Sequence, residues 1–381
     1  MDFQPDDVQQ AVQAAARAVA RERIAPGARE RDRTGRFPAE EIRELGRLGL
    51  LGMTVPEALG GAGVGTVAYA LAMMELAAAD CSVAVTTSVT NMVNETIARW
   101  GTEEQRARCC PRLCSGEWLA GAFGLSEPHA GSDPAAMRTR AERRGDRWVL
   151  NGEKQWITSG DVAGVIVVWA RTDAGAAGTG ISAFLVEQGT PGLSAGRHEA
   201  KMGQRSSSTV PLVLEDCAVP EGAMLGRPGD GMRIALAALD GGRIGIGAQA
   251  VGVMDAALEA SARYARERQA FGRPIAQHQA IAFQLADMGV ARDAARLMVL
   301  RAAMLKEAGR PFSREAAMAK LFASEAAQRA VSTGVQVHGG YGYTEEFVVE
   351  RLYRDARVQT IYEGTSEIQR LVISRDLLRD P

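Results

Sequence analysis

Between Trp118 and Pro228 the chain carries short β-favouring runs and no stretch long enough for a useful helix, while the residues on either side are helical in pattern. The runs VAGVIVVWARTD, GISAFLVEQ and STVPLVLEDCAV are separated by Gly, Pro and Asp. Strands without helices between them cannot supply the crossovers of a doubly wound parallel sheet, so this block predicts an antiparallel sheet or barrel. Inside it, Asn151-Gly152 in RWVLNGEKQWITSG is the dipeptide of a tight turn and predicts a hairpin at that point.

The flanks read as helices. Val8, Val12, Ala15 and Val19 fall on one helical face. FPAEEIRELGRLGLLG opens with Pro38 and two acids, a favoured first turn. TVAYALAMMELAAAD and CSVAVTTSVTNMVNETIARWG are apolar enough to be buried helices, and Thr102 to Gln105 spells a capping box. After Gly231 the pattern is helical to the end: a long helix ends before Gly309 and Pro311, another has Ser313 as its expected cap, and the last starts at Thr365 or Ser366 with SEIQ as a second capping box. Ile368, Leu371, Val372 and Leu378 are its expected inner face. The approach to that helix, VQTIYEGT, alternates like a strand and delivers Glu363 to the turn. The predicted fold is α+β and multidomain: an N-terminal α-helical domain over 1–117, a middle antiparallel β-barrel over 118–229, and a C-terminal four-helix bundle over 230–381.

Several function classes drop out. Apolar residues are 46% and charged residues 24%, the balance of a chain with a large core rather than of a disordered one. A net charge of −2 gives no nucleic-acid footprint. No apolar run reaches the roughly 18 residues of a membrane span, and the polar start MDFQPDDVQQ is neither a secretory signal nor a transit peptide, so a cytoplasmic location is expected. Five cysteines and four scattered histidines make neither a disulfide framework nor a zinc site. GIGAQA at Gly245 to Ala250 fits a dinucleotide fingerprint, but helix precedes it and no parallel strand follows, so its small residues are read as a close helix contact. Of the 44 basic residues only four are Lys.

Five motifs occur in order: SEPHAGSD at Ser126 to Asp133, WIT at Trp156 to Thr158, RQAFGRPIAQHQ at Arg268 to Gln279, QVHGGYGYTEE at Gln336 to Glu346, and IYEGTSEIQR ending at Arg370. Together they resemble the acyl-CoA dehydrogenase family, with LDGGRIGIGAQAVG and RDARVQTIYEGTSEIQRLVISRDLL resembling its short-chain, butyryl-type branch. The resemblance implies FAD, α,β-dehydrogenation of an acyl-CoA thioester to the trans-2-enoyl thioester, a role in fatty-acid β-oxidation, an electron-transfer flavoprotein as acceptor, and a homotetramer. A thioester on an acyl-carrier protein, or a flavin oxidase or monooxygenase on the same scaffold, remains an alternative.

The α C–H of a thioester is a weak acid, so its removal asks for a carboxylate held close in a site shielded from water. By the resemblance Glu363 is that base. From the residues alone it reads first as an exposed acid favoured by a helix start. Gly364 leaves room for substrate beside the backbone. The resemblance further implies flavin contacts for Phe123, Leu125 and Ser126, for Ser132 (shared with the substrate arm), for Trp156, Ile157 and Thr158, and for Thr365 and Glu367 at the helix start. It gives Arg268 and Gln279 to FAD, Gln336, Gly339 and Gly340 to the FAD of a neighbouring subunit, and Asp240 and Arg243 to the substrate channel. Arg243 reads equally well as a structural ion-pair partner. The acyl tail is expected along Val83 to Glu95, with Thr86, Val89 and Thr90 setting its depth. His129 departs from the family, which usually has Gly there.

Overall fold

The computed structural model describes residues 4–172 and 180–379; the ends of the two expected outer domains and the Asp173 end of VAGVIVVWARTD lie outside the described residues. The chain begins with α1 (Asp7–Val19), α2 (Ala28–Thr34), α3 (Ala39–Arg47), α4 (Gly65–Ala79), α5 (Cys81–Trp100) and α6 (Glu103–Ser115). Local chemistry sets several of these starts. Thr102 caps α6: its hydroxyl accepts from Gln105 N at 3.2 Å while Gln105 Oε1 accepts from Thr102 N at 2.9 Å, the expected capping box, worth about 1 kcal/mol. Asp80 alone separates α4 from α5, and its carboxylate caps α5 by accepting from Ser82 N at 2.8 Å. The same carboxylate accepts from buried Arg31 at 2.8 Å, which ties α2 to that cap. On α1 the inner face is Ala16 and Val19, and Val8 is exposed.

The middle block is β1 (Gly121–Gly124), β2 (Arg140–Arg144), β3 (Arg147–Thr158), β4 (Val165–Arg171), β5 (Ile181–Glu187), β6 (Leu193–Ala195), β7 (Thr209–Pro220) and β8 (Met224–Leu225). One sheet runs β6-β7-β3-β2-β4-β5-β8, and β1 adds to β4. Ala122, Ala141, Leu150, Val168, Phe184 and Leu212, from six strands, close on one inner cluster, so the sheet wraps its own core. The opposite face packs on α5, α6 and the first turns of the next helix through Val167, Trp169, Leu185 and Ile234. Pairing is antiparallel apart from β1 and the end of β2, which share an edge of β4 in parallel. The hairpin expected at Asn151-Gly152 is not there. Both residues lie inside β3, and the turn is Gly145-Asp146, with Gly145 in the left-handed region at φ 65°. Gly152 is small because a side chain there would strike Thr139 at 2.5 Å, at a register shift in the β3–β7 ladder.

Then follow α7 (Gly231–Glu267), the small hairpin β9 (Gln269–Ala270) and β10 (Arg273–Pro274), α8 (Gln279–Glu307), α9 (Ser313–His338), α10 (Val348–Ala356) and α11 (Ser366–Leu377). α7, α8 and α9 pack on one another, α11 lies on α9, and α4 of the N-terminal part fills the groove along α7 and α8. The glycines of GIGAQA make that groove. A side chain at Gly245 would meet the Tyr69 hydroxyl at 2.3 Å, and one at nearby Gly252 the Met74 carbonyl at 2.1 Å, so close helix approach, not a dinucleotide loop, explains the motif. Ser313 is the first helical residue rather than a cap, and its hydroxyl instead donates to Asp240 at 2.9 Å. The cap of α11 is Thr365, accepting from Ile368 N at 3.3 Å; this register leaves no capping box in SEIQ. Ser366 and Gln369 form its buried face, while Leu371 and Leu378 are exposed.

Candidate active site

The approach to Glu363 is a 3-10 turn, Arg357–Thr360, rather than a strand. Glu363 then takes φ 54° and Gly364 φ 88°. The left-handed region costs a non-glycine residue about 1–3 kcal/mol, so the turn must be held from outside. Two buried side chains hold it. Lys320 Nζ, from α9, donates to the Gly364 carbonyl at 2.8 Å, and Gln369 Nε2, from α11, donates to the same oxygen at 2.8 Å and to the Glu363 carbonyl at 3.2 Å. Glu363 keeps partial exposure as a residue, but its Oε2 is shut off from solvent and has no hydrogen-bond partner. Burial pushes its carboxyl up to about 7, against the opposing pull of Arg243 and Lys320. Burial likewise brings Lys320 down to about 8.

α7 supplies the opposite wall. A side chain at Gly242 would stand 2.9 Å from both Glu363 Oε2 and Met92 Sδ, so the carboxylate lies directly against the helix backbone. Arg243 is buried and pairs with Asp240 at 2.5 Å, which also takes the Ser313 hydroxyl, while Arg243 Nε is buried without a partner. Arg243 is thus an ion-pair partner and a neighbour of the acid at once. From Met92 and Gly242 a crevice runs between α5 and α7 past Gly241 to Glu95, Lys306 and Trp100. Thr86, Val89 and Thr90 do not line it; the Thr86 and Thr90 hydroxyls bond back to Ser82 and Thr86 carbonyls at 3.0 and 2.8 Å.

The sheet builds a second surface. The β3–β7 register shifts between Lys154 and Ile157, and Trp156 there takes φ 63° with its indole 61% exposed. The bulge turns a large ring outward that an even strand would have packed. Ser126 sits alongside, its carbonyl accepting from Gln155 N at 2.9 Å. Leu125 is buried, Phe123 stacks at a tilt on Trp169, and Ile157 points into the barrel core, so only its backbone can face a ligand. Ser132 is exposed on the following loop. Beneath this loop Lys154 Nζ donates to Glu127 at 2.8 Å and Glu127 accepts from the Arg138 and Thr139 backbone N–H at 2.6 and 3.0 Å. His129 lies 3.5 Å from Glu127 on the outer side of this pair.

Three family descriptions match in order: "Acyl-CoA dehydrogenase, N-terminal domain" over residues 6–117, "middle domain" over 122–217 and "C-terminal domain" over 229–378. The chain belongs to the acyl-CoA dehydrogenase family. It is 49% identical over 364 residues to the short-chain specific acyl-CoA dehydrogenase of Homo sapiens mitochondria, covering 95% of this chain and 88% of that one. Two solved chains match it over their whole length and its own with a TM-score of 0.98 and 43% identity: butyryl-CoA dehydrogenase from Megasphaera elsdenii, and a chain from a structure described as the electron transferring flavoprotein of Acidaminococcus fermentans.

FAD is the cofactor of acyl-CoA dehydrogenases. The sheet surface fits it: an outward indole offers a face for a planar ring, and Ser126 and Thr158 are beside it, with the neighbouring Ser159 hydroxyl buried and unpartnered. Thr365 and Glu367 stand at the start of α11, where Glu367 is exposed and the Thr365 hydroxyl is engaged as the cap. The remaining expected contacts lie elsewhere in this dehydrogenase. Arg268 follows the end of α7, 26 positions past Gly242, or about 39 Å along the helix. Its guanidinium lies over Tyr341, in the turn that contains Gly339 and Gly340, with Gln336 just before it and Gln279 opening α8 after the β9–β10 hairpin. All five are exposed. Sequence reading missed Lys320, Gln369, Lys154 and Glu127, which position the two loops, and Lys306, which pairs in the crevice with Glu95, the last residue of the expected acyl-tail stretch.

Proposed function

We propose that this chain dehydrogenates a short acyl-CoA thioester between its α and β carbons, with Glu363 as the base. The observation that carries the reading is Glu363 Oε2 itself: buried, without a partner, lifted to about 7, and set against Gly242, which lines a crevice between α5 and α7. A carboxyl with that value is about half ionised near neutrality and basic enough, when ionised, to take the α proton. The left-handed turn and the Lys320 and Gln369 bonds fix where it points. Gly364 keeps the backbone beside the acid open to the thioester. Arg243 and Lys320 offset the negative charge gathered near the reacting carbon. Trp156 and Ser126 would hold FAD, which would supply the acceptor for the β hydrogen leaving as hydride.

The flavin site is completed by a second subunit. Arg268 lies about 39 Å along α7 from Gly242, with Gly339 and Gly340 in the turn beside it and Gln336 and Gln279 near by in sequence, so these five are assigned to the flavin of a neighbouring chain. Phe271, 95% exposed at the β9–β10 tip beside them, is apolar surface suited to that contact. A homotetramer in the cytoplasm that passes electrons to an electron-transfer flavoprotein, within fatty-acid β-oxidation, completes the proposal.

The test is anaerobic addition of butyryl-CoA to the purified yellow protein. Loss of the flavin's visible absorbance is expected, and Glu363→Gln should keep the colour and lose the bleaching. Bleaching by Glu363→Gln at the normal rate would refute the assignment of the base.

A further inference from the structure

The crevice lined by Met92 and Gly242, the glycine against which Glu363 lies, also holds an ion pair. Lys306 Nζ, near the C-terminus of α8, lies 2.7 Å from Glu95 Oε1 and 2.8 Å from Oε2 on α5, and the Thr54 hydroxyl donates to the same carboxylate at 3.2 Å. Lys306 reaches this position across α7 because Gly241 has no side chain; a Cβ there would stand 3.0 Å from Nζ. Beyond the pair are Trp100 and exposed Arg99. The pair therefore stands in the wall of the crevice between Gly242 and Trp100.

Gly241 and Gly242 are consecutive, and one abuts the Lys306 ammonium while the other abuts the Glu363 carboxylate. The two charged groups are thus within about 12 Å of each other. Allowing ordinary contact distances at each end, roughly four carbons fit beyond the α carbon. A longer saturated chain would have to strip water from a paired ammonium and carboxylate or pull them apart. The pair also has a charge consequence. Glu95 neutralises Lys306, so an acyl group ending in a carboxylate finds no free cation and meets Glu95 instead.

Resting on the dehydrogenase reading, we propose that Glu95 and Lys306 are the specificity-determining end wall of the acyl site: they limit it to short chains and exclude acyl groups with a terminal carboxylate. Glu95 is the discriminating residue, since without it Lys306 becomes an unpaired ammonium at the depth where a five-carbon diacid ends.

Three variants test this, each with butyryl-, hexanoyl-, octanoyl- and glutaryl-CoA. Glu95→Gln should raise the glutaryl-to-butyryl ratio of kcat/KM at least tenfold. Glu95→Leu combined with Lys306→Leu should raise the octanoyl-to-butyryl ratio at least tenfold. Gly241→Ala, which presses on the ammonium without removing either charge, should lower the hexanoyl-to-butyryl ratio. Calorimetric binding of the same thioesters to each variant carrying Glu363→Gln reports the preference independently of turnover, so a failure of the dehydrogenase reading and a failure of the end wall are separately visible. Ratios within threefold of the parent in variants with the parent's flavin spectrum and Tm would overturn the proposal.

Discussion

Lys320 Nζ donates to the carbonyl of Gly364 at 2.8 Å, and the same buried ammonium draws down the carboxyl of Glu363 one residue earlier. One cation thus fixes the backbone of the base turn and favours the ionised form of the base. Glu363 is also faced by Arg243 from α7, and Lys320 by Glu363, Arg243, Glu367 and Glu325. Lys320→Met removes the charge but leaves Gln369 bonded to Gly364, and it replaces a desolvated ammonium with an apolar chain of similar length. Stability should move by no more than about 1 kcal/mol. The carboxyl of Glu363 should rise, so the acidic limb of the flavin-reduction rate moves up by roughly one pH unit, with about a fivefold loss near pH 7 that narrows at higher pH. Stopped-flow reduction across pH, with thermal melts as control, reads both. A uniform loss at every pH would mean that Lys320 only holds the fold.

The carboxyl of Glu363 sits at about 7 in the folded chain against an ordinary value of 4.5. A raised acid is protonated in the fold where the unfolded chain has already lost its proton. Its contribution therefore lowers stability as pH rises from about 4.5 to about 7, and the penalty is complete above that window. Glu363→Gln should stabilise the protein by on the order of 2–3 kcal/mol at pH 8 and by little at pH 4.5. The rate of flavin reduction in the parent should run the other way, rising with pH through about 7 as the base ionises. Denaturant melts of both proteins at the two pH values check the first part, and a rise in parent stability relative to the variant with pH would contradict it.

What was legible was local. The Thr102–Gln105 capping box needs only four consecutive residues, and the strand block needs only its own lack of helical periodicity. The Asn151-Gly152 turn failed because pairing with β7 runs through both residues, and the left-handed residue the hairpin requires is Gly145. Glu363 was readable through its motif, but what makes it a base comes from Gly242 on α7, Lys320 on α9 and Met92 on α5, which no sequence spacing brings together. One signal was available and unused. The chain uses Arg for nearly all its cations, yet keeps Lys at 154, 201, 306 and 320. Lys154 and Lys320 are fully buried and Lys306 is partly so, each with its compact ammonium on an oxygen acceptor: Glu127, the Gly364 carbonyl and Glu95.

Gly242→Ala puts a methyl group 2.9 Å from Glu363 Oε2 and from Met92 Sδ, both ends of flexible side chains. The helix itself gains about 1 kcal/mol of propensity from Ala over Gly, so the fold should persist with FAD bound. The carboxylate must shift, and a displacement on the order of 1 Å at the reacting carbon costs about a hundredfold. A kcat/KM lowered by about that factor with an unchanged melting temperature is the expected result; activity within threefold of the parent would show that the carboxylate has slack.

Phe283, Val290, Leu297 and Met304 recur every seven residues along α8, and all four are more than half or close to half exposed, from 50% to 72%. A seven-residue apolar stripe on a long helix is the pattern of a helix that packs against another helix, and nothing among the described residues covers it. If this face joins subunits, disrupting it should separate each flavin from Arg268 and Gln336 of its neighbour, so assembly and FAD retention should fall together. Leu297→Glu places a charge at the stripe without touching Glu363, the sheet surface or the crevice. Light scattering should show a species smaller than the parent, and the ratio of flavin to protein after gel filtration should drop severalfold. A variant that keeps both the parent mass and its full flavin content would place the subunit contact on another face.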